Sequence, residues 1–281
     1  MRSAEADREL SKKLTSTTKK HIAPIFQVNP VHAAFAGTGG PMLGQGTMTF
    51  ISYQGRCFGI TNQHVIGDFE RVTADRAFVL ALNKHQPLPG RLIFSSTTRN
   101  HEFPHDVAVF ILDQPTLEAG GKTPVMLVHE ANPVKEGERY LGVGYPGALR
   151  TEDDGESNHP IYHIVMTDVL ASERQLIFND ELTASSDVMK FGGISGGAIF
   201  DVAEDDSYTL AGIIFEGRGQ HDEVDSKVSA TDIWVYGIPI STHWMDYVLN
   251  DASSRQVELN LKPLKFKVNI AISDDLDHTD T

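Results

Sequence analysis

The chain of 281 residues has a single cysteine, Cys57, so it cannot close an internal disulfide. Nothing marks it as a small disulfide-stapled fold of the secreted type. Basic residues are also scarce: 24 Lys and Arg stand against 38 Asp and Glu, a net charge of −14. A phosphate backbone wants a basic face, so no nucleic-acid partner is expected. Long apolar runs are missing as well. The longest, such as Val107 to Leu112, fall far short of the roughly 20 residues that span a bilayer, so no membrane span is expected. Met1 to Leu10 hold no apolar run either, which argues against a secretory signal. These absences together predict a soluble, intracellular, cytoplasmic protein. There is also no repeat array and no low-complexity block.

What is present suits a globular chain able to bury a substantial core, with 40% hydrophobic and 22% charged residues. From Ile25 the pattern is of short apolar segments broken by turn residues. Thr47–Tyr53, Arg56–Thr61, Ala77–Leu82, Arg91–Phe94 and Val107–Leu112 read as strands, punctuated by Gly39-Gly40-Pro41, Gln54-Gly55 and Pro87-Leu88-Pro89-Gly90. Residues 113–136 form a connector. A second set follows: Arg139–Gly144, Ile161–Leu170, Gln175–Phe178, Ala198–Val202, Tyr208–Phe215 and Thr231–Ile238. Many short strands at this spacing predict an all-β barrel or sandwich architecture. Trp244, Tyr247 and Val248 recur at helical spacing and predict a short helix.

At the ends, residues 1–22 are polar. Leu10 and Leu14 share one helical face, which is little to hold a helix, so a frayed arm is expected over a docked helix. Leu264 to Ile270 alternate apolar and basic. That suits a strand on the protein's own body, or an arm that adds to a partner's sheet edge and supports a regulatory partner or homo-oligomer. Residues 273–281 read as a disordered acidic tail.

The chemistry gathers around Phe191-Gly192-Gly193-Ile194-Ser195-Gly196-Gly197-Ala198. Glycines on both sides let the backbone turn tightly, point Ser195 outward and aim N–H groups beside it. An acyl-transfer nucleophile and its oxyanion hole need that arrangement. Two other stretches supply partners. Gly59-Ile60-Thr61-Asn62-Gln63-His64-Val65-Ile66 offers His64 after a strand, and His105-Asp106-Val107-Ala108-Val109 offers Asp106 at the mouth of another. The order His, Asp, Ser is one of those known for a catalytic triad. His64 would act as general base on Ser195, histidine being ordinarily near pKa 6.5, and Asp106 would hold the other ring nitrogen.

These segments resemble a trypsin-like serine protease. Within that superfamily they are most similar to the HtrA/DegP type, which reads Thr-Asn-x-His-Val around its histidine. The resemblance spans roughly residues 40 to 241. It is carried further by Gly44-Gln45-Gly46-Thr47, Asp106-Val107-Ala108-Val109, Gly142-Val143-Gly144-Tyr145-Pro146-Gly147, Ser186-Asp187-Val188-Met189 and Tyr236-Gly237-Ile238-Pro239-Ile240-Ser241. It implies two six-stranded antiparallel β-barrels with a short C-terminal helix and terminal extensions. The expected division is an N-terminal arm (1–24), a first barrel with His64 and Asp106 (25–116), a second barrel with Ser195 (117–241), and a helix, strand-like arm and tail (242–281). The family's usual PDZ domain does not fit in the stretch after the helix.

The resemblance further implies peptide-bond hydrolysis through an acyl-enzyme, a protein or peptide substrate, and neither cofactor nor metal. Gly193 and Ser195 would supply the oxyanion-hole N–H groups, each worth about 3 kcal/mol. Ile194 stands where digestive members place the aspartate that pairs with a new N-terminus, so zymogen cleavage of that kind is not expected and control through loop ordering or a partner is. Ile214, Phe215 and Glu216 would form one wall of the specificity pocket, and Met189, Lys190 and Phe191 the other. No buried carboxylate is evident there, which favours a small or apolar residue before the scissile bond. Asp187 offers basic specificity but aligns with a structural aspartate. Phe215 replaces a Ser or Thr whose hydroxyl helps hold the catalytic aspartate.

Three rival readings remain. His101-Glu102-Phe103-Pro104-His105 spells the H-E-x-x-H zinc pattern, but Pro104 opposes the helix that pattern requires. Gly193-Ile194-Ser195-Gly196-Gly197 spells an esterase string, yet strand rather than helix is expected after it and the order Ser–Asp–His is absent. A catalytically silent, protease-fold binding or scaffold protein is the alternative that Ile194 and Phe215 keep open. Cys57 reads as a small core residue.

Overall fold

The computed structural model describes residues 4–28, 44–67, 77–81, 85–87, 90–96, 106–130, 138–146, 151–153, 156–158, 161–166, 168–171, 176–181, 192–219 and 232–254. The chain opens with helix α1 (Ala4–Thr18) and a 3-10 turn, Lys19–His21. Eight strands follow: β1 (Ile22–Val28), β2 (Gly44–Tyr53), β3 (Arg56–Thr61), β4 (Ala77–Ala81), β5 (His85–Pro87), β6 (Gly90–Ser96), β7 (Val107–Leu112) and β8 (Val125–Met126). Two short helices interrupt them, α2 (Gln63–Ile66) and α3 (Gln114–Ala119). The second half holds β9 (Tyr140–Gly144), the hairpin β10 (Thr151–Asp153) and β11 (Glu156–Asn158), then β12 (Tyr162–Met166), β13 (Asp168–Ala171), β14 (Leu176–Glu181), β15 (Ala198–Val202), β16 (Tyr208–Gly219) and β17 (Asp232–Pro239). Helix α4 (Thr242–Ser254) closes the described chain.

The first sheet runs β5-β4-β1-β2-β3-β7-β6 with β8 added in parallel to β2, and the second runs β12-β9-β15-β16-β17-β14-β13. Among the described residues they hold eight and seven strands rather than six each: β1, β5 and β8 join the five segments expected in the first half, and the expected Ile161–Leu170 strand divides into β12 and β13. The β2–β3 hairpin is closed by Gln54 and Gly55, both at positive φ (49° and 70°), the backbone that a two-residue primed turn demands.

Three apolar clusters explain why the strands read as they do. In β7, Ala108, Phe110 and Leu112 point into the first barrel. Val107 and Val109 point the other way, into a cluster shared with Leu141, Val143 and Phe200 of the second sheet. A strand buried on both faces has no polar alternation, which is why this one appears in sequence as an unbroken apolar run. The second barrel's interior gathers Tyr140, Ile164, Leu176, Ile199 and Val235. The shared cluster is a seam between barrels, and α4 docks into it through Trp244, Met245 and Val248.

The N-terminal arm is a docked helix rather than a frayed segment. Leu14 is buried in the seam cluster. Thr18 Oγ1 donates to Leu14 O at 2.8 Å and so accepts from His163 Nε2 at 3.2 Å. That leaves His163 Nδ1 to accept from Thr15 Oγ1 at 3.3 Å. His21 Nδ1 donates to the Thr123 carbonyl at 2.6 Å and its Nε2 accepts from Tyr208 Oη at 3.0 Å. Lys122 Nζ caps the end of the arm by donating to the carbonyls of Lys19 (2.9 Å) and Ile22 (2.7 Å). The segment Leu264 to Ile270 lies outside the described residues, and no described helix is long and apolar enough to cross a membrane.

Candidate active site

The base side is built by the first barrel. β3 ends at Thr61, and Asn62, extended at φ −83° and ψ 148°, starts the single turn α2 that presents His64. Two side-chain amides hold this turn. Asn62 Nδ2 donates to the Asp106 carbonyl at 2.9 Å. Gln63, buried, accepts from Ser95 Oγ and donates to the Gly67 carbonyl at 2.8 Å. Asp106, immediately before β7, places both carboxylate oxygens on His64. Oδ1 accepts the His64 backbone N–H at 2.7 Å, and Oδ2 contacts ring atom Nδ1. A carboxylate only accepts, so Nδ1 carries a proton and Nε2 is left as the outward-facing nitrogen. The His64 ring is half exposed, as a proton-transfer group must be. Phe215 stands edge-on to it, centroids 6.1 Å apart at 82°.

The serine side is built by the second barrel and held by the first. Gly193 and Gly196 adopt φ 100° and 86°, values that L side chains rarely adopt. Gly196 also has no room for a side chain, since a Cβ there would stand 2.0 Å from Thr47 O and 2.5 Å from Thr61 Oγ1. Ile194 is buried in the second barrel's interior cluster and anchors the loop by packing, in place of an ion pair. Gly197 N–H donates back to Ile194 O at 2.8 Å. Gly196 N–H donates to Ile214 O and Ile214 N–H to Gly197 O, at 2.8 and 2.7 Å. The same stretch of β16 therefore flanks Ser195 and carries Phe215 to His64.

From across the seam, Thr47 N–H donates to Ser195 O (2.8 Å), Thr47 Oγ1 to Gly193 O (2.9 Å) and Thr49 Oγ1 to Gly196 O (2.8 Å). Ser195 itself is buried at 9% exposure.

His64, Asp106, Ser195, Gly193, Ile214 and Phe215 thus converge on one seam. Glu216 lies in β16, with its side chain beyond what is described. Met189, Lys190 and Phe191, Asp187, and the His101–His105 stretch lie outside the described residues. Cys57 is a core residue whose thiol burial, helped by Glu118 and Asp113, pushes up to about 12, so it is no nucleophile. The residues that sequence reasoning missed are the supports: Thr47, Thr49, Asn62 and Gln63. For the two threonines the available signal was polar residues alternating with Met48 and Phe50 in a strand with no polar face to spare.

The parts in hand are an imidazole oriented by a carboxylate on the first barrel and a serine flanked by glycine backbone N–H groups on the second, the residue types that nucleophilic acyl transfer uses. Residues 46–206 match the family model for the trypsin-like peptidase domain. Among solved structures, the chain is similar to a thermostable serine protease, AL20, from an extremophilic microorganism (15% identity, TM-score 0.50, covering 84% of this chain and 98% of that one). It is similar also to the inactivated protease paralogue S-I1 of the scabies mite (14% identity, TM-score 0.52, covering 84% and 96%). No curated protein matches it. At such identities the likeness is one of fold, the chymotrypsin-like double barrel with a short C-terminal helix. The family match covers more than half of the chain, and the chain belongs to the trypsin-like peptidase family.

Proposed function

We propose that the protein is a serine endopeptidase that cleaves peptide bonds through His64, Asp106 and Ser195. The observation that carries the reading is the double engagement of His64 by Asp106, at the backbone N–H and at Nδ1. One carboxylate thereby fixes the position and the tautomer of the imidazole. In the proposed cycle, Nε2 takes the Ser195 proton as Oγ attacks the scissile carbonyl. The imidazolium formed is stabilised by Asp106 and returns the proton to the leaving amine. Water then attacks the acyl carbonyl as Nε2 takes its proton, and Nε2 returns that proton to Ser195 Oγ as the acyl–Oγ bond breaks, releasing the carboxylic acid and restoring the free serine. The N–H groups of Gly193 and Ser195 would bind the developing oxyanion.

The finer reading is of a regulated, cytoplasmic protease of the HtrA type. Thr61-Asn62-Gln63-His64-Val65 supports the type, and buried Ile194, which forms no ion pair with a new N-terminus, supports control by means other than zymogen cleavage. The specificity pocket would be walled by Ile214, Phe215 and Glu216 on one side and Met189, Lys190 and Phe191 on the other, taking a small or apolar side chain.

Intact mass after treatment with a phosphonylating serine-hydrolase probe tests this reading. One adduct is expected, absent in Ser195→Ala and slowed by a factor of about 10⁴ or more in His64→Ala. A wild-type protein that takes no adduct would instead be a silent member of the fold, such as the inactivated scabies mite paralogue is by its description.

A further inference from the structure

We infer that Thr47 is a positioning residue for the oxyanion-binding loop, its side-chain hydroxyl fixing the Gly193 peptide from across the barrel seam. This rests on the serine-protease reading and adds to it a residue from the opposite barrel that touches no substrate.

The placement follows from strand lengths. β3 pairs with β2 only as far as Ile60 opposite Thr49. Thr47 therefore extends past the end of β3, and on that side its backbone groups have no strand partner. Backbone groups buried in this way must find partners elsewhere. The Thr47 N–H is taken by Ser195 O at 2.8 Å and the Thr47 carbonyl by Thr61 Oγ1 at 2.7 Å. The serine loop thus occupies the ladder position that β3 vacates, and Thr61, the residue before Asn62, ties the same point to the turn that carries His64.

The hydroxyl adds a second layer. Thr47 Oγ1 accepts the Tyr145 backbone N–H at 3.0 Å and donates to the Gly193 carbonyl at 2.9 Å. Thr47 is fully buried, so neither bond has water as a competitor. One donor and one acceptor are satisfied by one hydroxyl, which leaves its rotamer no freedom. Tyr145 and Gly193 belong to different segments of the second barrel, and the hydroxyl joins both to a strand of the first. With its carbonyl pinned and φ at 100°, Gly193 is held at one of its two flanking peptides, which restricts how the adjoining N–H can turn. Gly193 is free by residue type to turn the other way, and the hydroxyl removes that freedom. A donor must be aimed at where charge develops to lower the barrier, so the hydroxyl acts on the chemical step and not on the first encounter with substrate.

Thr47→Val keeps the shape and deletes the hydroxyl; Thr47→Ser keeps the hydroxyl. The readout is the kinetics of Ser195 phosphonylation by a fluorophosphonate, whose phosphoryl oxygen enters the same N–H site. It is resolved into a maximal rate and a half-saturating concentration, with unfolding curves to fix the folded fraction. The expected result is a maximal rate lowered about tenfold to a hundredfold in Thr47→Val at an unchanged half-saturating concentration. Thr47→Ser should fall within about threefold of wild type. A Thr47→Val rate equal to wild type, or a loss no greater than its unfolded fraction, overturns the positioning role while leaving the protease reading intact. A loss in Thr47→Ser as large as in Thr47→Val overturns it too, since packing and not the hydroxyl would then matter. A wild-type protein that does not react overturns the protease reading, and this inference with it.

Discussion

His64 is presented by the first barrel and Ser195 by the second, and the chain secures them by opposite means. The hydrogen bonds of the histidine turn stay within the first barrel and span shorter stretches of sequence. Gln63 reaches Gly67 four residues on, while Asn62 and His64 reach Asp106 at separations of 44 and 42. The side-chain ties of the serine loop cross between barrels, with Thr47 to Gly193 and Thr49 to Gly196 spanning 146 and 147 residues. A base held locally forms whenever its own barrel folds. A nucleophile loop built by one barrel and braced from the other has its full set of ties only when the two barrels dock. The difference makes Ser195 the vulnerable half of the site, and a loosened seam disarms the nucleophile while leaving the His64–Asp106 pair in place.

The sharpest way to break this contrast is Gly196→Ala. The new Cβ would meet Thr47 O and Thr61 Oγ1 inside contact distance, at a φ of 86°. Overpacking and a left-handed alanine together cost about 2–5 kcal/mol, read from urea unfolding. Gly55→Ala serves as the control: φ is 70°, but a Cβ there meets nothing within 4 Å, so only the backbone cost of about 1 kcal/mol remains. Equal losses in the two variants would mean that the seam is not tightly packed around the serine loop.

Acid is expected to act on a third region, the docked arm. Burial pushes His163 and His21 down to about 4, and for His21 the nearby Lys20 and Lys122 act in the same direction. Above an unfolded value near 6.5 both states are neutral and the pair has no effect. As pH falls from about 6.5 towards 4, the unfolded chain takes protons that the folded one resists, and stability drops. The expected loss is about 2 kcal/mol per histidine by pH 4.5, measured as the pH dependence of unfolding, with His163→Gln and His21→Gln each flattening part of it. A profile unchanged by either variant would place the acid sensitivity elsewhere. Because Leu14 of the arm lies in the seam cluster, acid should also slow Ser195 phosphonylation beyond what the base alone explains.

That arm marks where sequence reading stopped. The strands that border the seam were legible because burial on two faces writes an apolar run, as in Val107–Leu112 and Ala198–Val202. The candidate residues were legible because glycines must surround an exposed nucleophile and because His64 and Asp106 each sit at the end of such a strand. Helix α1 was not, since two leucines on a polar face carry too little burial to signal docking. Its anchors are the hydrogen bonds that join Thr15 and Thr18 to His163, at separations of 148 and 145 residues. The role of Thr47 was hidden for the same reason. A threonine in a strand reads as β propensity, and only the closed fold brings Gly193 and Tyr145 to its hydroxyl.

The smallest expected effect tests the claim that the base side is tolerant. Asn62 begins the His64 turn but makes no side-chain cap to it, and gives its amide to the Asp106 carbonyl instead. Its Oδ1 is buried and, among the described residues, has no hydrogen-bond partner. Asn62→Ala therefore removes one hydrogen bond, worth about 1 kcal/mol, and at the same time an unsatisfied buried acceptor, which offsets part of that. The net loss in urea unfolding should stay at or below about 1 kcal/mol, with His64 still held by both oxygens of Asp106 and phosphonylation within a few-fold of wild type. An Asn62→Ala loss as large as that of Gly196→Ala would erase the difference between the two halves of the site. The His64 turn would then depend on a single amide as heavily as the Ser195 loop depends on the opposite barrel.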